Sequence, residues 1–128
     1  MLEQESLNSL LPLCEKRGIG IILGGPYNSG ILASGAVKDA WFDYAPATAK
    51  VLAKVAAIEK ICAGHRVSLK AAALQFPLHH SCVASVIPGI SNTAELNENL
   101  RMLRTPVPAE LWRELKSAGL MDAQAPTP

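Results

Sequence analysis

Only two segments of this chain read as buried β-strands, Ile19–Leu23 and Val83–Ile87. Each is a short, mostly apolar run following a helix or a helix stop, the form of a strand covered on both faces in a parallel sheet. Nearly everything else carries helical spacing or turn residues. That alternation implies an α/β architecture. Two parallel strands cannot protect both edges of a sheet, so the pattern also implies strand neighbours that these residues do not supply.

The helical segments carry their own punctuation. Leu7, Leu10, Leu11 and Cys14 fall on one face before Lys16, Arg17 and the stop at Gly18. Thr48 caps a helix running to about Cys62, with Val51, Val55, Ile58 and Cys62 inward and Gly64 at its end. Ser68 caps another with Leu69, Ala72, Ala73 and Phe76 inward, and Pro77 should distort its last turn. Asn92 and Glu95 form a pair much like a capping box, and Leu96, Leu100 and Leu103 follow as an inner face. Pro108 opens a last helix through Leu111, Trp112 and Leu115 to Gly119. Between the first strand and Thr48, Gly24 to Pro46 is long and irregular, yet Tyr27, Trp41, Phe42 and Tyr44 favour ordered packing there. Residues 1–120 therefore read as one unit and residues 121–128 as a loose tail.

Composition narrows the function. A net charge of +1 and 5% aromatic residues give no footing for nucleic acid. The apolar runs are too short to cross a membrane, and the acidic start lacks a secretory pattern. Three cysteines, Cys14, Cys62 and Cys82, make an odd set without CxxC spacing, which fits a reducing cytoplasm. Gly18-x-Gly20 is not a dinucleotide fingerprint, because its glycines precede the strand and Leu23 takes the third glycine's place. His79, His80 and Cys82 lie close together but have no second Cys/His pair to complete a metal site.

The chemistry-bearing feature is the turn after the second strand, Pro88-Gly89-Ile90-Ser91-Asn92. A helix that starts behind a strand's C-terminal end presents unpartnered amides, a seat for an anionic phosphate.

Three stretches resemble the C-terminal part of the aldo/keto reductase family. The first is Leu11-Pro12-Leu13-Cys14-Glu15-Lys16-Arg17-Gly18-Ile19-Gly20-Ile21-Ile22 with Gly24-Gly25-Pro26-Tyr27-Asn28-Ser29-Gly30-Ile31-Leu32. The second is Ser68-Leu69-Lys70-Ala71-Ala72-Ala73-Leu74-Gln75-Phe76 running into Val83-Ala84-Ser85-Val86-Ile87-Pro88-Gly89, and the third is Glu95-Leu96-Asn97-Glu98-Asn99-Leu100 followed by Val107-Pro108-Ala109-Glu110-Leu111-Trp112. The pattern is most like the family's sugar and pyridoxal dehydrogenase branch. The resemblance implies the last portion of a (β/α)8 barrel, about two strands plus flanking helices, from an NAD(P)-dependent oxidoreductase acting on a small sugar, aldehyde or alcohol. It also implies that the family's Asp, Tyr, Lys and His tetrad lies upstream. No catalytic residue is assigned here, and the chain reads as an inactive fragment prone to self-association.

The same resemblance assigns a cofactor pocket. Gly25, Pro26, Ser29, Gly30 and Leu32 match the stretch over the pyrophosphate, though the residues alone also admit a plain glycine-rich turn. Gly89, Ser91 and Asn92 match the segment at the adenosine phosphate. Gly89 and Glu95 stand where NADP-using members carry Lys and Arg, so NAD is favoured over NADP; Glu95 as a simple helix cap is the other reading. Glu98 and Asn99 match the adenine-binding pair, or are an ordinary solvated pair on a surface helix. The competing functional reading is a non-enzymatic helical interaction module.

Overall fold

The computed structural model describes residues 1–128. A 3-10 turn at Glu5–Asn8 leads into α1 (Leu10–Lys16), β1 (Ile21–Gly24), α2 (Ile31–Ser34) and a small hairpin of β2 (Trp41–Phe42) and β3 (Ala45–Pro46). Then come α3 (Ala49–Gly64), α4 (Leu69–Gln75), a second 3-10 turn at Phe76–His79, β4 (Val83–Ile87), α5 (Thr93–Arg104) and α6 (Ala109–Ser117). β1 and β4 pair in parallel, giving the mixed α/β arrangement that the alternation implies. The irregular segment after β1 is more structured than its composition suggests. Its hairpin turns at Asp43 and Tyr44, both left-handed at φ +50° and +60°, the backbone of a primed two-residue turn.

Local signals act in part: the Ser68 side chain makes no capping hydrogen bond at the start of α4, but others hold. Thr48 Oγ1 accepts from Val51 N at the start of α3. Pro77 has no amide to continue α4, and the chain tightens there into a 3-10 turn.

The core is a helical layer. Ile31 and Leu32 of α2, Val55 and Ile58 of α3, and Leu111, Trp112 and Leu115 of α6 are wholly buried. Ala71, Ala72 and Ala73 are buried too, and their small side chains let α4 pack against α2, α3 and α5 at once. Phe76 lies with its ring centroid 6.1 Å from that of Trp112.

Three further expectations do not match the structure. The strands are not buried on both faces: Ile22 is 65% and Ile87 60% exposed, because each strand has one partner and alternate side chains face away from the helices. Leu96, Leu100 and Leu103 are not an inner face, since each stays more than 40% exposed. The residue of α5 that is buried is Asn99. The tail is not loose. Met121 and Ala125 join the core, Lys116 Nζ donates to Ala125 O (2.7 Å) and Thr127 Oγ1 (2.8 Å), and Asp122 N donates to Gln4 Oε1 (2.9 Å).

α5 is nonetheless held at both ends. Asn92 caps its start, and at its far end Gln75 Nε2 donates to Met102 O (2.6 Å) and Thr105 O (2.8 Å). No helix is long and apolar enough to cross a membrane.

Candidate cofactor site

The register of the parallel pair decides where the two candidate turns lie. Gly24 is opposite Ile87, and Gly25 N donates to Ile87 O at 3.2 Å. The turn after β1 and the turn after β4 therefore leave the same end of the sheet, side by side. That is the C-terminal end of both strands, where α/β folds gather ligands.

The first turn is tightly coiled. Gly25, Asn28, Ser29 and Gly30 all have positive φ, at +64°, +46°, +59° and +98°. A Cβ added at Gly25 or Gly30 would meet nothing, so these glycines serve the backbone conformation and not a close contact within the chain. Ser29 Oγ accepts from Tyr44 N at 3.0 Å, which straps the hairpin to the turn. An accepting hydroxyl keeps its own proton, so Ser29 still has a donor to offer. Pro26 is largely buried yet borders a cleft with Gly24, Gly25 and Asn28, whereas Leu32 is wholly buried, its side chain in the core, and presents no surface to a ligand.

In the second turn, Asn92 Oδ1 accepts from Glu95 N (2.9 Å). The Glu95 carboxylate accepts from Ser91 N (2.7 Å) and from Asn92 Nδ2 (3.1 Å). The carboxylate thus reaches one residue beyond the cap, and the Ser91 amide is already engaged. The backbone amides of Gly89, Ile90, Asn92, Thr93 and Ala94 donate to no group of the protein. They form an exposed arc of free donors beside a fixed carboxylate.

Glu98 and Asn99 do not form a solvated pair. Asn99 is only 5% exposed. Its Oδ1 accepts from the Tyr27 hydroxyl at 2.7 Å, and its Nδ2 is buried without a partner. Lys70 Nζ pairs with Glu98 and sits 5.4 Å from the centre of the Tyr27 ring. The hydrogen bond from Lys70, and then its charge, hold the Glu98 carboxyl below its ordinary range. Burial, aided by the Glu98 charge, pushes the Tyr27 phenol up to about 12. Asn99 also borders a cleft of about 330 Å³ between β4 and α5, in which it is the one polar side chain among apolar neighbours such as Leu74, Ile87, Leu96 and Leu100. Sequence reasoning missed Tyr27 and Lys70 at this position. Nothing local marks them, because their partners lie on α5, far along the chain.

The residues set aside as a metal group have packing roles. The His79 ring meets Trp112 edge-on with centroids 5.3 Å apart, and His80 Nδ1 lies 3.2 Å from Cys82 Sγ. Trp41 and Tyr44 are 52% and 89% exposed on the hairpin.

Residues 1–119 match the model of the aldo/keto reductase family. The chain is 38% identical over 121 residues to the pyridoxal 4-dehydrogenase of Microbacterium luteolum, covering 94% of this chain and 35% of that protein. It is 37% identical over 129 residues to the D-threo-aldose 1-dehydrogenase of a Pseudomonas species, covering 100% of this chain and 38% of that protein. The chain thus spans little more than a third of the length of the curated relatives it matches. With the sequence motifs in order and the two turns joined at one end of a parallel pair, the chain belongs to the aldo/keto reductase family.

Proposed function

We propose that this chain is the cofactor-holding portion of an NAD(P)-dependent aldo/keto reductase of the sugar and pyridoxal dehydrogenase kind, the C-terminal part of a (β/α)8 barrel. The observation that carries the reading is the shared end of β1 and β4, which sets the Ser29 turn beside the free amides of Gly89, Ile90, Asn92, Thr93 and Ala94. The residues suit a dinucleotide. Free amides and the Ser29 proton supply donors for phosphate oxygens, and the unpartnered Asn99 nitrogen supplies one for a base. The bound cofactor would accept or deliver the hydride. What these residues contribute is its placement.

The Glu95 carboxylate, fixed against Ser91, favours NAD, because it repels the dianionic 2′-phosphate that NADP carries and no cation stands in its place. The substrate is a small aldose, aldehyde or alcohol. The acid–base tetrad belongs to upstream parts of a longer enzyme, so the chain by itself is inactive. Its buried free thiols suit a reducing cytoplasm. Calorimetric titration of the chain with NAD and NADP tests the reading. NAD binding at least about tenfold tighter, narrowed by Glu95→Arg, is expected; equal NADP binding would refute the preference, and binding of neither would refute the reading.

The exposed stripe of Leu96, Leu100 and Leu103 favours a second reading, a helical interaction module that needs no nucleotide. The same titration separates the two.

A further inference from the structure

We propose that Cys82 and Cys14 are an oxidisable thiol pair, with His80 as proton acceptor for Cys82, which hydrogen peroxide closes into a disulfide between α1 and the start of β4. The pair sits at the N-terminal end of the sheet, opposite the cofactor turns. Leu11, Cys14 and Cys82 make a small buried cluster apart from the main core. The chain entering β1 holds both cysteines: Ile19 N donates to Cys14 O (2.9 Å) and Ile21 N to Cys82 O (2.7 Å). Cys82 Sγ lies 3.9 Å from Leu11 O, within the turn of α1 that carries Cys14. It also lies 3.2 Å from His80 Nδ1. The Cys82 amide, which can only donate, reaches that same Nδ1 at 3.3 Å, so this nitrogen carries the lone pair of the neutral ring. Nδ1 is thus the nearer of two acceptors for the thiol proton. Burial, and then the neighbouring Cys14, raise the Cys82 thiol above its ordinary range, so its reaction needs a base at hand. His80 and Leu7, which touch the cluster, also line a cleft of about 440 Å³ that brings a small oxidant to its edge. The Cys82 sulfur attacks one peroxide oxygen as the O–O bond breaks. Its proton passes to Nδ1 and on to the departing hydroxide, leaving a sulfenic acid and water. The Cys14 sulfur then attacks that sulfur, the S–O bond breaks, and the hydroxide leaves with the Cys14 proton as a second water. The two thiols are oxidised to a disulfide and the peroxide is reduced to water.

Cys62, buried in the main core, is the internal control. The reduced full chain is treated with hydrogen peroxide, and its thiols are followed by alkylation after denaturation and by non-reducing peptide mapping. Cys14 and Cys82 should disappear together into one cross-linked peptide, about 2 Da lighter than its two parts and restored by dithiothreitol. Their loss should run at least about tenfold faster than that of Cys62. Cys14→Ser should halt at a Cys82 sulfenic acid that dimedone traps. His80→Gln should slow the loss of Cys82 by about tenfold or more, with the circular dichroism spectrum unchanged. A parent in which Cys62 reacts as fast as Cys82, in which no Cys14–Cys82 peptide forms, or in which neither thiol reacts overturns the inference. So does an unchanged rate in a folded His80→Gln chain. Should a variant fail to fold, the peptide map of the parent decides alone, because unfolding that merely exposed thiols would oxidise Cys62 as well.

Discussion

The helical layer around Trp112 and the pair of β1 and β4 with α5 draw on the same kinds of apolar side chain, yet only the first closes. In the layer, Val55, Ile58, Leu111, Trp112 and Leu115 lose all contact with solvent. In the second region, Ile22, Ile87, Leu96, Leu100 and Leu103 keep 41–65% of their surface. The difference lies in partners. α3 packs against both α4 and α6, whereas each long strand has a single strand neighbour and the stripe of α5 borders an open cleft. Stability and the proposed cofactor contacts are thereby separated. The closed region supplies burial, and the open one carries the free amides.

That contrast can be broken by substitution. Trp112→Ala should cost about 3–5 kcal/mol in urea-induced unfolding, enough to abolish the fold of a small domain. Gly35 lies at φ +81°, ψ −170°, a backbone nearly reserved for glycine, and a Cβ there would stand 2.7 Å from a Glu59 oxygen. Gly35→Ala should therefore cost ~1–3 kcal/mol in the same assay, chiefly through backbone strain since the Glu59 side chain can move. Tyr27 gives an alkaline signature. Its phenol titrates near 12 when folded against about 10 when unfolded, so its contribution is whole below pH 10 and is lost as the pH climbs toward 12. Tyr27→Phe should flatten that part of a stability-versus-pH profile. Asn92→Ala should cost ~1 kcal/mol through the lost cap. On the open side, Leu100→Ala should stay within about 0.5 kcal/mol at low protein concentration. Leu100→Glu should suppress the concentration-dependent association that an exposed stripe promotes, as read by sedimentation. A Leu100→Ala cost near that of Trp112→Ala would erase the contrast.

What sequence revealed follows how far each interaction reaches. Thr48, Asn92 and Glu95 were readable as caps because their partners lie within a turn. The two long strands and their parallel sense were readable because apolar runs alternate with helices. The fate of Leu96, Leu100 and Leu103 was not, since periodicity announces that a helix has an apolar side and not that anything covers it. Asn99 looked like a surface residue until Tyr27, on a distant turn, was placed against it. The tail misled for the same reason: the small polar residues suggest fraying, while Lys116 and Gln4 supply anchors that only folding brings near.

The double fastening of α5 has a mechanical consequence. Asn92 grips one end and Gln75 the other, so the bare leucine flank between them is a stiff plate, not a wandering one. Whatever mates with it loses little disorder from the helix on docking. An unfinished joint of this sort is already cut to shape.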